Sequence, residues 1–403
     1  MKQRNRNRRQ KVLLIKALGI VLAFFCLALA GIFMNRWEID IEPVQGEKVT
    51  VSYGKKYKDK GAKAYYRNAL LPFIKEEIDV KESGQVNTKK MGTYTITYEA
   101  SSHGQTAKVT QTVEVKDNVK PVITYGQDPS YKVLYTAKDN LDGDLTDKVK
   151  TKVEEDQIIY SVTDSSGNTA KVSRPLKRYH SKPSQDMDFT ESERTIYLTF
   201  DDGPSKYTDT LLDVLKKYNI KATFFTTSAY PDYADRMKRQ AEEGHAVCVH
   251  TATHNYAQIY KSTDAYWADY NQQKKVIEQQ TSSSNTMFRF PGGSSNTVSQ
   301  QYGKGIMTKL VKQAEDKGLQ YFDWNVSSGD AGGTESTDQV FLNVISVVQA
   351  NREKGVPSVV LQHDTNDFSV AAVERIILWG LDNGYEFQPL HANSYAPHHG
   401  TVN

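Results

Sequence analysis

Two histidines, His250 and His254, stand four residues apart, a spacing that on a helical turn aims both imidazoles the same way, as a metal chelate requires. Alone the pair is weak, because such spacings arise by chance and no glutamate lies between them as in the HExxH arrangement. Asp202 strengthens it, since a third hard donor completes a set of two imidazoles and one carboxylate and leaves a position open for water. Asp202 belongs to Thr199-Phe-Asp-Asp-Gly-Pro204, which also reads as an ordinary turn or helix cap. Adjacent residues leave a strand on different faces, so with Asp202 on a metal, Asp201 is free to take a proton from water. Gly203-Pro204 then supplies the sharp turn. Arg289 is placed to orient such a base by a bidentate ion pair, the alternative being a purely structural pair.

These groups are far apart in sequence and need a frame to bring them together. After residue 194 the pattern alternates strands and helices. Candidate strands are Thr195–Phe200, Ala222–Thr227, Ala246–His250, Met287–Pro291, Gln320–Val326, Ser358–His363 and Glu386–Leu390. Amphipathic segments lie between them, for example Leu211, Leu212, Val214, Leu215 and Tyr218, or Val340, Val344, Val347 and Val348. The fold class expected is α/β, a distorted (β/α) barrel of about seven parallel strands, with an open doubly wound sheet as second choice. A barrel gathers its chemistry where strands end. Asp201 and Asp202 close the first strand, His250 and His254 the third, Arg289 lies in the fourth, Asp330 follows the fifth, and His363 ends the sixth.

On these residues the last ~210 positions resemble the polysaccharide deacetylases, carbohydrate esterase family 4, also called the chitooligosaccharide deacetylase homology domain. Five separated motifs carry the resemblance: Thr199-Phe-Asp-Asp-Gly203, His250-Thr-Ala-Thr-His254, Arg289-Phe-Pro-Gly-Gly293, Trp324-Asn-Val-Ser-Ser-Gly-Asp330 and Leu361-Gln-His363. The resemblance implies that Asp201 is the base, that Asp202, His250 and His254 bind zinc or another divalent metal such as cobalt or manganese, and that Arg289 orients Asp201. It further implies that His363 is the acid tuned by Asp330. The Gly292 N–H would stabilise an oxyanion, and Pro291, Trp324 and Leu361 would line the substrate site. The implied reaction is hydrolysis of an acetamido group to acetate and a free amino sugar. Gly292 stands where an aromatic residue is common and Ala331 where Trp is common, so the groove is expected to be wider or flatter. Trp267, Trp324 and Tyr302 have the chemistry to stack on sugars, though in βα segments such aromatics are more often core.

The compartment follows from the amino end. Ala17 to Met34 contains no charged residue, and Val12 to Ile15 extend it past Lys16. Eighteen residues cover about 27 Å as a helix, enough to span and longer than a secretory signal core. Lys2, Arg4, Arg6, Arg8, Arg9 and Lys11 precede it, which puts the tail in the cytoplasm and the remainder outside. Secretion after cleavage near Ala28 to Gly31 is the alternative. Removing those six positives from 51 Lys+Arg leaves 45 against 48 Asp+Glu, so the folded part has no basic excess to track nucleic acid. Two cysteines, Cys26 in the span and Cys248 in an apolar strand, exclude a disulfide framework.

The expected domains are a basic tail (1–11), a transmembrane signal anchor (12–34), an immunoglobulin-like β module (35–118), a second shorter one (119–178), a linker (179–193) and the catalytic domain (194–403). Short alternating strands such as Lys48-Val-Thr-Val-Ser52 suggest a small antiparallel sandwich. A weak repeat pairs Ser101-Ser-His-Gly-Gln-Thr-Ala-Lys-Val109 with Ser165-Ser-Gly-Asn-Thr-Ala-Lys-Val172. The acidic run Asp139, Asp142, Asp144 fails as an EF-hand loop, because Lys138 and Val149 fall where carboxylates are needed, and reads as a solvated turn. His398-His399 reads as a frayed tail rather than a ligand pair. An anchored exterior hydrolase reaches cell-wall glycan, so N-acetylglucosamine of peptidoglycan in a single-membrane cell is the substrate expected, with no protein partner implied. Another acetylated glycan (chitooligosaccharide, poly-N-acetylglucosamine, xylan) or a non-catalytic wall-binding role is the alternative; a metalloprotease lacks its HExxH.

Overall fold

A long apolar run finds no core to enter at the amino end: helix α1 (Lys2–Met34) keeps its side chains exposed from Lys11 to Ile32. The section Arg8–Ile32 is long and apolar enough to cross a membrane, its 25 residues rising about 37 Å against a hydrocarbon core of about 30 Å. The computed structural model describes residues 2–34, 36–179 and 191–402. Most of the linker expected over 179–193 therefore lies outside the described residues.

Seven strands follow: β1 (Trp37–Pro43), β2 (Lys48–Ser52), β3 (Ala62–Asn68), β4 (Lys75–Ile78), β5 (Val80–Ser83), β6 (Gly92–Ser102) and β7 (Gln105–Lys116). They form two sheets, ordered β1-β3-β4 and β2-β7-β6-β5. Along β6 alternate residues Ile96, Tyr98 and Ala100 are buried, the period of two that a half-buried strand imposes. One pair departs from the expected antiparallel sandwich: β2 runs parallel to β7. The long chain between them forms no direct hairpin, so nothing local dictates the antiparallel sense. Six more strands complete the β region: β8 (Val122–Tyr125), β9 (Tyr135–Asp139), β10 (Gly143–Asp144), β11 (Lys150–Glu154), β12 (Gln157–Thr163) and β13 (Thr169–Pro175). They form sheets β10-β9-β8 and β11-β12-β13. Both copies of the sequence repeat make strand connections, the first between β6 and β7 and the second between β12 and β13. The chain divides into two compact units, residues 1–122, 137–148 and 162–170, and residues 123–136, 149–161 and 171–403. Residues of the segment 119–178 fall in both.

The remainder alternates as the sequence pattern predicts. Its elements are β14 (Thr195–Asp201), α2 (Thr208–Lys217), β15 (Thr223–Thr226), α3 (Arg236–Glu242), β16 (Ala246–Val249), α4 (Tyr256–Ile259), α5 (Thr263–Thr281) and β17 (Met287–Phe288). They continue with α6 (Ile306–Asp316), β18 (Gln320–Tyr321), β19 (Val326–Ser327), α7 (Thr337–Glu353), β20 (Ser358–His363), α8 (Asp367–Asp382) and β21 (Glu386–Phe387). The parallel sheet runs β18-β17-β16-β15-β14-β20-β19, with β21 pairing the start of β14. The single strand expected over Gln320–Val326 is thus two short ones on opposite edges.

That split forces curvature. Six spacings of about 4.8 Å would put the edges of a flat seven-strand sheet about 29 Å apart. The five steps from Tyr321 to Val326 reach at most about 18 Å. The sheet therefore curls into a half-barrel, and no pairing of β18 with β19 closes it among the described residues. Side-chain parity separates the two faces. Tyr197, Phe225, Cys248, Met287, Phe322 and Val359 share one buried cluster, whereas Val247, Val249, Phe288 and Phe290 join another with residues of α5 and α6. Cys248 is packing, as expected.

Candidate active site

Continuing the first of those parities along each strand leads to the chemistry. Positions 201, 250, 289 and 363 have the parity of Tyr197, Cys248, Met287 and Val359, so Asp201, His250, Arg289 and His363 emerge on one face near one rim. Asp201 pairs in register with His363 across β14 and β20. Asp202 has the wrong parity, but its backbone is left-handed at φ 72°, and that turn brings its carboxylate back to the site. Gly203 then packs so closely on Asp364 that a methyl there would overlap the carboxyl group.

One oxygen or nitrogen each of Asp202, His250 and His254 lies within 4.8 Å of the others. Asp202 Oδ1 stands 3.5 Å from His250 Nε2 and 3.3 Å from His254 Nε2. This set fits a metal on its own chemistry. His250 Nδ1 lies 2.7 Å from the Arg289 carbonyl, which only accepts, so that nitrogen carries the proton and Nε2 presents its lone pair to the cluster. Burial, then neighbouring His254, holds the His250 pKa well below the ordinary imidazole value, keeping it neutral. Asp202 Oδ1 is buried and has no hydrogen-bond donor, an orphan that a cation would satisfy.

The two histidines do not reach this position on a helical turn. Residues 250 to 255 form a loop between β16 and α4, with His254 left-handed at φ 51°. Asp269 on α5, 5% exposed, pins it, accepting from the Ala252 N–H at 2.6 Å, the Thr253 N–H at 3.2 Å and the Thr253 hydroxyl at 2.7 Å. Asp269 was not legible as a site residue, since an acid in a polar helix looks like a solvated face.

Arg289 is fully buried and holds Asp201 through one nitrogen, Nη1 to Oδ1 at 2.8 Å, rather than bidentately. The rest of the guanidinium is committed elsewhere, Nη1 also to the Thr199 hydroxyl at 2.7 Å, Nε to the Phe322 carbonyl at 2.9 Å and Nη2 to the Asp323 carbonyl at 3.0 Å. That anchoring fixes its direction. Burial raises the Asp201 pKa, and the charges of Arg289 and His363 oppose the rise.

His363 is held from both ends by Asp330. Its backbone N–H donates to Oδ2 at 2.8 Å and its Nδ1 lies 2.9 Å from Oδ1, while the Ser328 and Ser369 hydroxyls donate to the same carboxylate at 2.7 and 2.6 Å. Nδ1 therefore carries a proton and Nε2 faces Asp202 Oδ2 at 3.8 Å. Burial alone would lower this imidazole; the Asp330 hydrogen bond and charge, with Asp201 and Asp202 adding, push its pKa up to about 9.

The positions expected to line the substrate site differ among themselves. Gly292 is exposed at φ 75°, and among the described residues its N–H has no hydrogen-bond partner. A side chain there would meet the Tyr256 hydroxyl at 2.7 Å. Tyr256 went unread in the sequence; burial, then Asp202 and Asp201, raises its pKa to about 12, so it stays neutral beside the Asp202, His250 and His254 cluster. Pro291 is buried and accepts from Tyr260 and Asn296, and Leu361 is buried on the His363 face of β20, so both support the site from beneath. Trp324 is half-buried, 4.9 Å from the His399 ring. Trp267 packs among core residues, and Tyr302 is 40% exposed. The His398-His399 pair is no frayed tail: His398 stacks on Tyr321 at 4.0 Å, and the His399 N–H donates to Asp323 at 2.7 Å.

The polysaccharide deacetylase profile matches residues 189–310, and the profile of a bacterial surface immunoglobulin-like domain matches residues 44–115. A peptidoglycan-N-acetylglucosamine deacetylase of Bacillus cereus is 32% identical over 246 residues, covering 59% of this chain and 86% of the relative. The peptidoglycan-N-acetylglucosamine deacetylase PgdA of Listeria monocytogenes is 32% identical over 202 residues, 49% of this chain and 38% of the relative. The crystal structure of the catalytic domain of a peptidoglycan N-acetylglucosamine deacetylase from Eubacterium rectale shares 52% identity, covering 55% of this chain and 98% of its own, with a TM-score of 0.52. With that coverage at that identity, and a half-barrel carrying its motifs on one rim, the chain belongs to the metal-dependent polysaccharide deacetylases.

Proposed function

We propose that this protein removes N-acetyl groups from N-acetylglucosamine in peptidoglycan, releasing acetate. The observation that carries the reading is the placement of two oppositely prepared proton carriers beside one cation-binding set. Asp201 is held by Arg289, and His363 is held protonated by Asp330. Asp202, His250 and His254 would hold the cation, zinc by preference for two imidazoles and a carboxylate, with cobalt or manganese as substitutes; when bound it lowers the pKa of water and polarises an amide carbonyl.

The chain's own residues account for the proton balance. Asp201 accepts a proton from the attacking water, and a C–O bond forms at the acetamido carbon. The Gly292 N–H is available to the developing oxyanion. His363, through Nε2, gives its proton to the departing nitrogen as the C–N bond breaks, leaving acetate and an amine. The exposed glycine at 292 suits an extended polymer, because it leaves the rim without a bulky side chain.

In this reading the domain boundaries are those of the sequence pattern, with a catalytic domain over 194–403. The basic tail is cytoplasmic, α1 spans the membrane once, and the catalytic domain faces the wall. The six basic residues before the apolar run support that orientation.

The test is acetate release by the full-length protein in detergent from purified peptidoglycan and from chitooligosaccharides. Release should require zinc and stop with chelator. Asp201→Asn should lower kcat by about 10²–10⁴-fold with metal content unchanged. Asn keeps an acceptor for buried Arg289, whose stranding would cost about 3–5 kcal/mol. No release from either substrate by folded, metal-loaded protein would overturn the proposal.

A further inference from the structure

A second set of carboxylates converges within the first compact unit. Asp117 follows β7, Asp139 ends β9 and Asp164 follows β12, and one oxygen of each lies within 4.8 Å of the others. Asp117 is 6% exposed and Asp164 7%. Among the described residues no lysine, arginine or histidine pairs with any of the three.

Their remaining bonds leave oxygens without donors. Asp117 Oδ1 accepts from the Val119 N–H and from Asn140 Nδ2, both at 3.2 Å. Asp139 Oδ1 accepts from the Leu141 and Asp142 N–H groups at 2.7 and 2.9 Å. Asp164 accepts from the Ser166 and Asn168 N–H groups and from Asn168 Nδ2. The Oδ2 atoms of Asp117 and Asp139 are buried and accept nothing. A buried carboxylate oxygen with no donor is costly, and crowding it against two more carboxylates adds repulsion. A cation removes both penalties.

We propose that Asp117, Asp139 and Asp164 form a calcium site. The donor set is all oxygen, which suits a hard cation and contrasts with the two-histidine set at the catalytic rim. Its ligands come from three turns far apart in sequence, an irregular arrangement that calcium tolerates and that magnesium, with its demand for octahedral geometry, does not. Asp139 stands in the acidic run 139–144, and the three acids of that run differ in what they face. Asp142 and Asp144 do serve as turn acids, accepting from Ser165 and Thr146 respectively. Asp139 instead faces Asp117 and Asp164. Bound calcium would tie the chain leaving β7 to the turns after β9 and β12, stiffening the connection between the β segments.

Equilibrium dialysis of the full-length protein in detergent, freed of metal and re-exposed to calcium, tests this directly. We expect one calcium per chain with a Kd of about 0.1–1 mM, the range of extracellular modules. Asp117→Asn and Asp164→Asn should each weaken binding tenfold or more, and Asp144→Asn should leave it unchanged. Calcium should raise the thermal midpoint of the wild-type protein and not that of Asp164→Asn. Absence of calcium binding to the wild type would overturn the proposal whatever the variants do. Binding retained by an Asp117→Asn, Asp164→Asn double variant would place calcium elsewhere and overturn it equally. Equal affinity for magnesium would overturn the assignment to calcium.

Discussion

His363 can act as an acid only while it holds a proton, and Asp330 is what keeps that proton on. The pair pushes the imidazole up to about 9, against the downward pull of burial. A cation on Asp202, whose Oδ2 lies 3.8 Å from His363 Nε2, opposes that rise, so the metal-loaded enzyme should lose kcat/KM on the basic side at or somewhat below pH 9. The sign for Asp330→Asn follows. Removing the negative partner lowers the His363 pKa, so the basic limb moves to lower pH, by about one unit or more. A pH profile of kcat/KM for the two proteins measures it, and an unmoved limb would mean that His363 is not the acid. In the proposed reaction the acid limb belongs to Asp201, which must be ionised to accept a proton; burial raises its pKa, while Arg289, His363 and a bound cation oppose the rise.

At the scale of elements, the β16–α4 loop shows how a polar helix residue can hold a candidate metal site in place. Three bonds from the loop converge on Asp269, and without them the loop keeps only the Ser228 N–H to Ala252 carbonyl bond and the turn around His254. Asp269→Ala should weaken metal affinity by about 10–100-fold, read by competition with a chromogenic chelator, and saturating zinc should restore most of kcat. Loss of kcat that zinc does not restore would make Asp269 a structural residue only. Gly380 in α8 illustrates the opposite limit, where packing overrides helix propensity. Alanine there would gain about 1 kcal/mol of helix propensity, but its Cβ would sit 2.5 Å from the Phe387 ring. Overpacking costs about 1–3 kcal/mol, so Gly380→Ala should lower the thermal midpoint. A raised midpoint would show that β21 can shift to make room.

At the scale of the molecule, the exposed apolar side chains of α1 and the balanced charge of the remainder call for different solvents. The full chain should sediment with membranes, and deletion of residues 1–34 should release it to the soluble fraction. Turnover of soluble chitooligosaccharides should be the same for both forms, because none of the proposed catalytic residues lies in α1. If residues 1–34 are replaced by a cleavable secretory signal, so that the chain is still exported, acetate release from intact walls should fall, since the proposed enzyme is then no longer held beside its polymer. Equal release would mean that anchoring serves something other than access.

Several features were determined by the sequence itself. The parity that puts Asp201, His250, Arg289 and His363 on one face is a consequence of strand geometry, which alternates every residue regardless of context. Alternation of strand and helix similarly predicts a parallel sheet, and the length of the apolar run predicts a helix able to span. These are local signals set by covalent geometry and hydrophobic period. Only the tertiary structure decided the rest: that Gln320–Val326 divides between two edges and curls the sheet, that Arg289 gives Asp201 one nitrogen and spends the others on carbonyls, and that Asp269 holds the histidine loop. Asp117, Asp139 and Asp164 belong with these, because the energy that distinguishes a buried carboxylate from a solvated one depends on neighbours brought in from other turns. Through-space contacts of this kind have no period along the chain, and so leave no pattern in it to read.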